Sequence, residues 1–347
     1  GEVVLLATGG YCVIADVVPF FADDLDQARD AFLAATRALI RTNRMQSLYQ
    51  KEVERTNRIG VGMTGIQEFA WKFFGLTFRD LIADFDRLIN IPDHCDVCGL
   101  AECSYCRPFG EDEEPKAWRF WRWLRETRKA VEAEADRYSD ELGVTRPHTV
   151  TTIKPAGTTS KLFLLTEGAH LPARTEFLRW VQFQKGDPLI AEYEAKGYPT
   201  QEVEQYPDVV MVGFPTQPMI CRLGIPRERL VTASEATMEE QYKWVQLLEK
   251  FWLGPRGNQV SYTLKYDREA VSLSEYRDII RKNQPHVRAI SVMPASDWRK
   301  TKEVYGYVPE EPISLEEFQA IEARIAERAE ETISLEDLRC EAGACPL

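Results

Sequence analysis

An α/β fold, with a mainly parallel sheet covered by helices, is what this sequence predicts. Two observations lead there. Extended and helical segments alternate through the second half of the chain, the pattern that βαβ units leave in sequence. At 347 residues the chain can bury a large core, as one domain or two smaller ones. No apolar run approaches the roughly 18 to 20 residues of a membrane span.

Taken in order, residues 3–6 and 11–14 read as buried extended or loop segments, with Gly9 and Gly10 as a turn between them. Asp23 or Asp24 caps a helix running to about Asn43, whose apolar face is Leu25, Ala28, Phe32, Ala35 and Leu39. Residues 58–65 form a glycine-rich entry into a helix that ends near Phe74. Residues 93–114 are an irregular, cysteine-rich insertion ending in an acidic run. A long amphipathic helix follows over 115–142. The β-branched run 149–153 reads as a strand, 154–160 as a turn, and Lys161 as the start of a helix or a further loop. Beyond it, 177–183, 209–214, 260–264 and 287–292 are extended, while 188–196, 238–251, 274–282 and 315–329 are helical. The expected organisation is 1–92, the insertion 93–114, a main part 115–330, and a mobile tail 331–347.

The formal charge of −12 argues against a general grip on nucleic acid, which needs a basic face. It leaves room for a small phosphate ligand at a locally positive site. No signal peptide is visible, and eight cysteines are too few for a disulfide scaffold in a chain of this size. Their clustering suggests metal or redox chemistry in a reducing, cytoplasmic setting. Gly1 runs at once into the apolar residues 3–7, which reads as entry into the middle of a fold.

Four constellations carry possible chemistry. Cys340 and Cys345 lie five positions apart in a small-residue segment closed by Pro346. A disulfide there would close a very short loop and stabilise little, so a thiol–disulfide shuttle is the functional reading and two solvated thiols the plain one. Lys154-Pro155-Ala156-Gly157-Thr158-Thr159-Ser160 sets small residues and three hydroxyls after a strand, where backbone N–H groups can converge on an anion. It lacks the Walker A ending, and such a segment alone is more often an ordinary turn. Cys95, Cys98, Cys103 and Cys106 form two Cys-x-x-Cys pairs that can give one tetrahedral zinc four thiolates, with Gly99 easing the turn and His94 as a spare ligand. The other reading is a loop of free or paired thiols. Glu2 and Cys12 combine a carboxylate with a thiol, a weak signal by pattern alone. Cys221 reads as a core residue, and His148, His170 and His286 as structural.

Together these segments resemble an adenosylcobalamin-dependent (class II) ribonucleotide reductase, most closely its monomeric ribonucleoside-triphosphate type, over nearly the whole chain as the C-terminal half. Gly1-Glu2 matches the end of the family's Asn-Pro-Cys-Gly-Glu-Ile motif, cut after the cysteine. Residues 150–160 match the substrate phosphate loop, followed by Gly168-Ala169-His170. Residues 258–261, the stretch 291–309 and the Cys340–Cys345 tail also fit, the tail most specifically. The resemblance implies half of a ten-stranded α/β barrel, split by its finger loop, with the insertion and the flexible tail. It implies that a thiyl radical, initiated by adenosylcobalamin, takes hydrogen from ribose C3′. Glu2 would accept the 3′-hydroxyl proton, and Cys12 would be one of two cysteines that reduce the sugar. Cys340 and Cys345 would re-reduce that pair and be recharged by thioredoxin or a similar reductant. Residues 155–160 would hold the phosphates of a ribonucleotide. The N-terminal half, on the same or a separate chain, would supply the remaining parts, and this chain alone would be inactive.

Two other classes of reductase fit less well. A class I enzyme would carry adjacent tyrosines, and no Tyr-Tyr pair occurs. A glycyl-radical enzyme would place its zinc cysteines and radical glycine near the C-terminus, whereas the zinc-like cluster here lies far upstream. A non-catalytic alternative is a zinc-stabilised nucleotide-binding or assembly module.

Overall fold

The computed structural model describes residues 10–46, 48–92, 109, 114–295 and 297–332. In chain order its elements begin with β1 (Ile14–Val17), α1 (Leu25–Asn43), α2 (Gln50–Thr56), β2 (Gly60–Met63) and α3 (Ile66–Phe74). Then come α4 (Phe78–Ile82), α5 (Phe85–Ile89), α6 (Trp118–Leu142), β3 (Thr151–Ile153) and α7 (Gly157–Leu162). They continue with β4 (Phe177–Gln184), α8 (Pro188–Ala195), β5 (Thr200–Glu202), β6 (Val209–Thr216), α9 (Met219–Arg222) and α10 (Met238–Leu248). The last are β7 (Gly257–Val260), β8 (Thr263–Tyr266), α11 (Leu273–Asn283), β9 (Ser291–Pro294), α12 (Trp298–Tyr305), β10 (Glu310–Pro312) and α13 (Leu315–Thr332). Two compact units result. One holds the chain up to Ala173 with Met219–Ala295, and the other Arg174–Pro218 with the chain from 297 onward.

The first unit contains the parallel sheet the sequence predicts. Its order is β1-β2-β3-β7, every pair parallel, with Ala15 opposite Val61 and Val61 opposite Thr151. The expected single strand at 260–264 is broken at Ser261-Tyr262 into β7 and β8. Ser261 N–H still donates to Ile153 O, and β8 pairs in parallel with β9. β8 and β9 form a separate two-stranded parallel sheet. β2 was read only as a glycine-rich entry, because glycine is poor in strands. It is wholly buried, and a Cβ on Gly62 would sit 3.1 Å from Thr152 O, so the close strand packing favours glycine. The extended reading of 11–14 holds only from Ile14. Tyr11 and Cys12 are exposed, and Tyr11 packs edge-on against Tyr49.

Helices predicted from caps and period appear where expected. Asp24 accepts the Gln27 N–H at 2.8 Å and starts α1, whose Ala28, Phe32 and Leu39 are buried. α6 brings Trp118, Phe120, Trp121 and Leu124 into the core and stops at Gly143, in the left-handed conformation. There Trp121 packs against Trp244 and Phe251, and Phe32 against Trp252. The predicted helix 238–251 changes character: after α10 the chain makes one π turn, Glu249–Leu253. Gly254 follows with φ +56°, and a Cβ there would fall 1.2 Å from Arg128 Nη1. Buried Glu249 accepts the Arg288 N–H on both oxygens at 3.1 Å. The Arg288 guanidinium in turn donates to Gly254 O, Gly257 O and Asn258 O, fastening the entry to β7.

The second unit departs from the parallel expectation. Its sheet, β10-β4-β6-β5, is antiparallel, with Phe177 opposite Thr216 and Gln184 opposite Val209. The short strand β5, which the sequence pattern does not mark, accounts for the difference. It is only three residues long, and the turn through Tyr206 returns the chain directly into β6, a connection that forces antiparallel pairing. No helix among the described residues is long and apolar enough to cross a membrane.

Burial raises the Glu249 carboxyl to about 7. Its folded value lies above the unfolded one, so its contribution is fullest below about pH 4.5 and is lost as pH rises through 7. Glu249→Gln should therefore be near neutral at about pH 5 and stabilising by on the order of 2 kcal/mol at about pH 8. Urea denaturation at the two pH values checks this, and an equal effect at both would contradict it.

Candidate functional site

Parallel sheets place their loops for ligands at the carboxyl ends of the strands. Here that edge gathers Thr64-Gly65 after β2, Lys154–Ala156 after β3 and Ser261-Tyr262 after β7. Ala156 turns the chain with φ +52°, and α7 begins immediately, its first bond being Ser160 N–H to Ala156 O at 2.9 Å. The helix was expected no earlier than Lys161. Starting at Gly157, it leaves the amides of Gly157, Thr158 and Thr159 without an intrahelical acceptor. Thr158 is exposed, and Gly157 and Thr159 are half-buried. Ser160 is different: its hydroxyl is buried, 2.6 Å from Thr64 Oγ1, and donates to Pro155 O. Thr158 and Thr159 are thus open to solvent, fully or in part, while the hydroxyl of Ser160 belongs to the scaffold.

That scaffold is a polar bracket. Thr64 Oγ1 accepts the Gly168 N–H at 2.9 Å and lies 3.0 Å from Thr166 O. Glu68, fully buried on α3, accepts Thr166 N–H at 2.9 Å and Thr166 Oγ1–H at 2.6 Å. Burial pushes the Glu68 carboxyl upward, while the hydrogen bonds from Thr166 pull the other way. Indole groups hold the same region from below: Trp244 Nε1–H donates to Ala169 O at 2.7 Å, and Trp252 Nε1–H to Thr152 O at 3.1 Å. Lys154 Nζ lies 3.0 Å from Asp16 Oδ2, joining the loop to β1.

His170 closes the turn. Its Nε2 accepts the Thr263 N–H at 3.0 Å, its Nδ1 lies 3.1 Å from Glu167 O, and its ring stacks on Tyr262 at 4.8 Å. Burial lowers its pKa. His148 and His286 are exposed.

Of the other predicted site residues, the two that are described do not reach this edge or the core as expected. Cys12 is exposed and precedes β1, on the amino side of the sheet. Cys221, expected in the core, is half-buried on α9. Glu2, the cluster Cys95, Cys98, Cys103 and Cys106 with His94, and the pair Cys340 and Cys345 lie outside the described residues. Sequence reasoning missed Asp16, Thr64, Glu68 and Thr166. Glu68 reads as an ordinary first-turn acid, and the threonines carry no signal by themselves.

Gly168 adopts φ +57°, and a Cβ there would sit 2.1 Å from Lys154 O. Gly168→Ala should cost about 3 kcal/mol or more in urea denaturation. Gly75, at φ +66° with no atom within 4 Å of its Cβ position, is the control, and Gly75→Ala should cost only about 1 kcal/mol. Equal costs would mean that the turn does not press on the loop.

No family model matches the chain. Curated relatives do. An adenosylcobalamin-dependent ribonucleoside-triphosphate reductase of Lactobacillus acidophilus is 25% identical over 366 residues, covering 99% of this chain and 44% of the relative. Proteins of the same name from Levilactobacillus brevis and Lactobacillus leichmannii are each 26% identical, over 361 and 368 residues, with the same coverage. The chain thus spans less than half the length of the curated relatives it matches. Among solved structures, a B12-dependent (class II) ribonucleotide reductase superposes with a TM-score of 0.70 at 21% identity, over 96% of this chain and 44% of that one. Along nearly its whole length the chain is similar to adenosylcobalamin-dependent ribonucleoside-triphosphate reductases, and its α/β fold is similar to that of the class II enzyme.

Proposed function

We propose that this chain is the nucleotide-holding part of an adenosylcobalamin-dependent ribonucleotide reductase, acting in the reduction of ribonucleoside triphosphates to 2′-deoxyribonucleotides. The observation that carries the reading is the loop Lys154–Ser160 at the carboxyl end of β3, in a chain similar over 99% of its length to such reductases. The substrate phosphates sit over Pro155–Ser160, held chiefly by the first amides of α7 and the hydroxyls of Thr158 and Thr159. A four-stranded parallel sheet and a separate parallel pair are compatible with one half of a ten-stranded barrel. The remaining half, on the same or a separate polypeptide, completes it. In the organisation we propose, residues 1–92 and 115–330 belong to the barrel part, 93–114 to the insertion and 331–347 to the tail.

Glu2 takes the 3′-hydroxyl proton of the ribose, Cys12 is one of the two reducing thiols, and Cys340 and Cys345 recharge that pair at the expense of thioredoxin or a similar cytoplasmic dithiol. Cys95, Cys98, Cys103 and Cys106 hold a structural zinc. Adenosylcobalamin, when bound, supplies the radical chemistry. The described histidines do not fit as its cobalt ligands: both His170 nitrogens are engaged, and His148 and His286 are exposed.

Gly157 tests the phosphate reading cleanly, because the nearest atom to its Cβ position is Glu167 Oε2 at 3.9 Å. Gly157→Asp should fold normally and weaken binding of a ribonucleoside triphosphate, measured by calorimetry, about tenfold or more. Unchanged affinity would remove the phosphates from this loop. In the complete enzyme, deletion of residues 340–347 should abolish turnover with thioredoxin and spare turnover with a small dithiol. Full activity with both would remove the shuttle.

A further inference from the structure

We propose that His170 is a positioning residue, a neutral imidazole strut between β8 and the turn 166–170, which keeps the loop Lys154–Ser160 in its binding shape. The proposal rests on the phosphate reading for its functional meaning, not for its geometry.

The partners fix the tautomer. A backbone N–H can only donate, so the nitrogen that meets Thr263 N–H at 3.0 Å, Nε2, must be the acceptor. The proton is then on Nδ1, which donates to Glu167 O at 3.1 Å. The ring stacks on Tyr262, whose hydroxyl donates to Gln241 Oε1 at 3.1 Å. The same Gln241 oxygen accepts Lys265 N–H, and its amide donates to Lys265 O, so the far side of the strut is fixed to β8. On the near side, the turn that ends in His170 carries Gly168, which lies directly against Lys154 O. The imidazole thereby links a strand to the phosphate loop through one acceptor and one donor.

Protonation destroys this link. Nε2–H would point at Thr263 N–H, two donors facing each other. The surroundings do not favour the cation. Lys265 on β8 disfavours it, and Lys154 on the loop has the same sign of charge. Tyr262 between β7 and β8 is held neutral by burial, and α10 presents only the uncharged Gln241 and Trp244. From α3, Gln67 reaches His170 O, and buried Glu68 is committed to Thr166. On its own turn, Glu167 points its carboxylate toward Lys161 at 3.8 Å. The folded protein therefore prefers the neutral ring. Its stabilisation is complete above the ordinary imidazole value of about 6.5 and is lost as pH falls below it. The sign is opposite to that of a histidine acting as a phosphate-binding cation, which would gain affinity in acid.

Amide hydrogen exchange of the full chain tests the strut directly. In His170→Ala, the hydrogen-bonded amides of residues 160–165 should exchange about tenfold faster at neutral pH. In His170→Gln, whose side-chain oxygen can accept Thr263 N–H and does not titrate, protection should return close to the wild-type level. Wild-type protection of the same amides, corrected for intrinsic rates, should fall in acid below about pH 6.5, and this fall should be absent in His170→Gln. Unchanged protection in His170→Ala, or an acid-induced fall that persists in His170→Gln, overturns the proposal. Titration of the wild-type chain with a ribonucleoside triphosphate separates it from the reading it rests on. Absence of binding beside the expected exchange pattern would leave the strut in place and remove the ligand.

Discussion

One close contact between two backbone segments governs the carboxyl edge of the parallel sheet. Gly168 lies so near Lys154 O that no side chain fits between them. Two loops separated in sequence are thereby pressed into one unit. The turn 166–170 can approach only because glycine supplies both the missing Cβ and the positive φ. Once there, its amide and carbonyl groups lose water and need partners. Thr64 and Glu68 supply them from the β2–α3 connection, and Trp244 does so from α10. The buried acid is the strongest sign of how much the bracket demands. Burial disfavours the charged form of this acid, and the two hydrogen bonds it accepts from Thr166 offset part of that cost.

The parts of this arrangement that sequence could reveal are those with a local cause. Asp24 at the head of α1, and Gly143 after α6, act within one turn of chain, so the two helices were legible. So was the strand before Lys154, from its β-branched run. The strand Gly60–Met63 was not, because its cause lies in packing: two neighbouring strands approach too closely for a side chain at Gly62. The antiparallel sheet was missed for a similar reason. Three polar residues in β5 carry little periodic signal, yet they set the direction of everything paired to β6. At the candidate site, the loop was legible through its resemblance to a known motif. Asp16, Thr64, Glu68 and Thr166 were not, since each gains its role from a partner about a hundred or more positions away.

The charges around the loop follow a consistent logic. Lys154 is paired with Asp16, and Lys161 lies near Glu167. Neither lysine is a bare cation waiting for an anion. In a chain of net charge −12, the positive character available to a ligand at this edge comes chiefly from peptide N–H groups at the start of α7. Amide donors differ from lysines in one respect that matters here: they cannot move independently of the backbone. A site built from them is only as good as the shape of the loop. This is why the scaffold beneath it is so heavily hydrogen-bonded, and why Ser160, whose hydroxyl faces inward, is worth more as a fastening than as a donor to ligand.

The same reasoning explains why a neutral histidine suits the turn. A cation at position 170 would add long-range attraction for an anion, an effect screened by solvent and salt. It would also turn an acceptor into a donor against Thr263 N–H, and the loop would lose the fixed geometry on which amide recognition depends. Burial and the nearby Lys265 both act against the charged ring. The fold therefore favours shape over charge at this position, in keeping with a site whose donors are backbone groups.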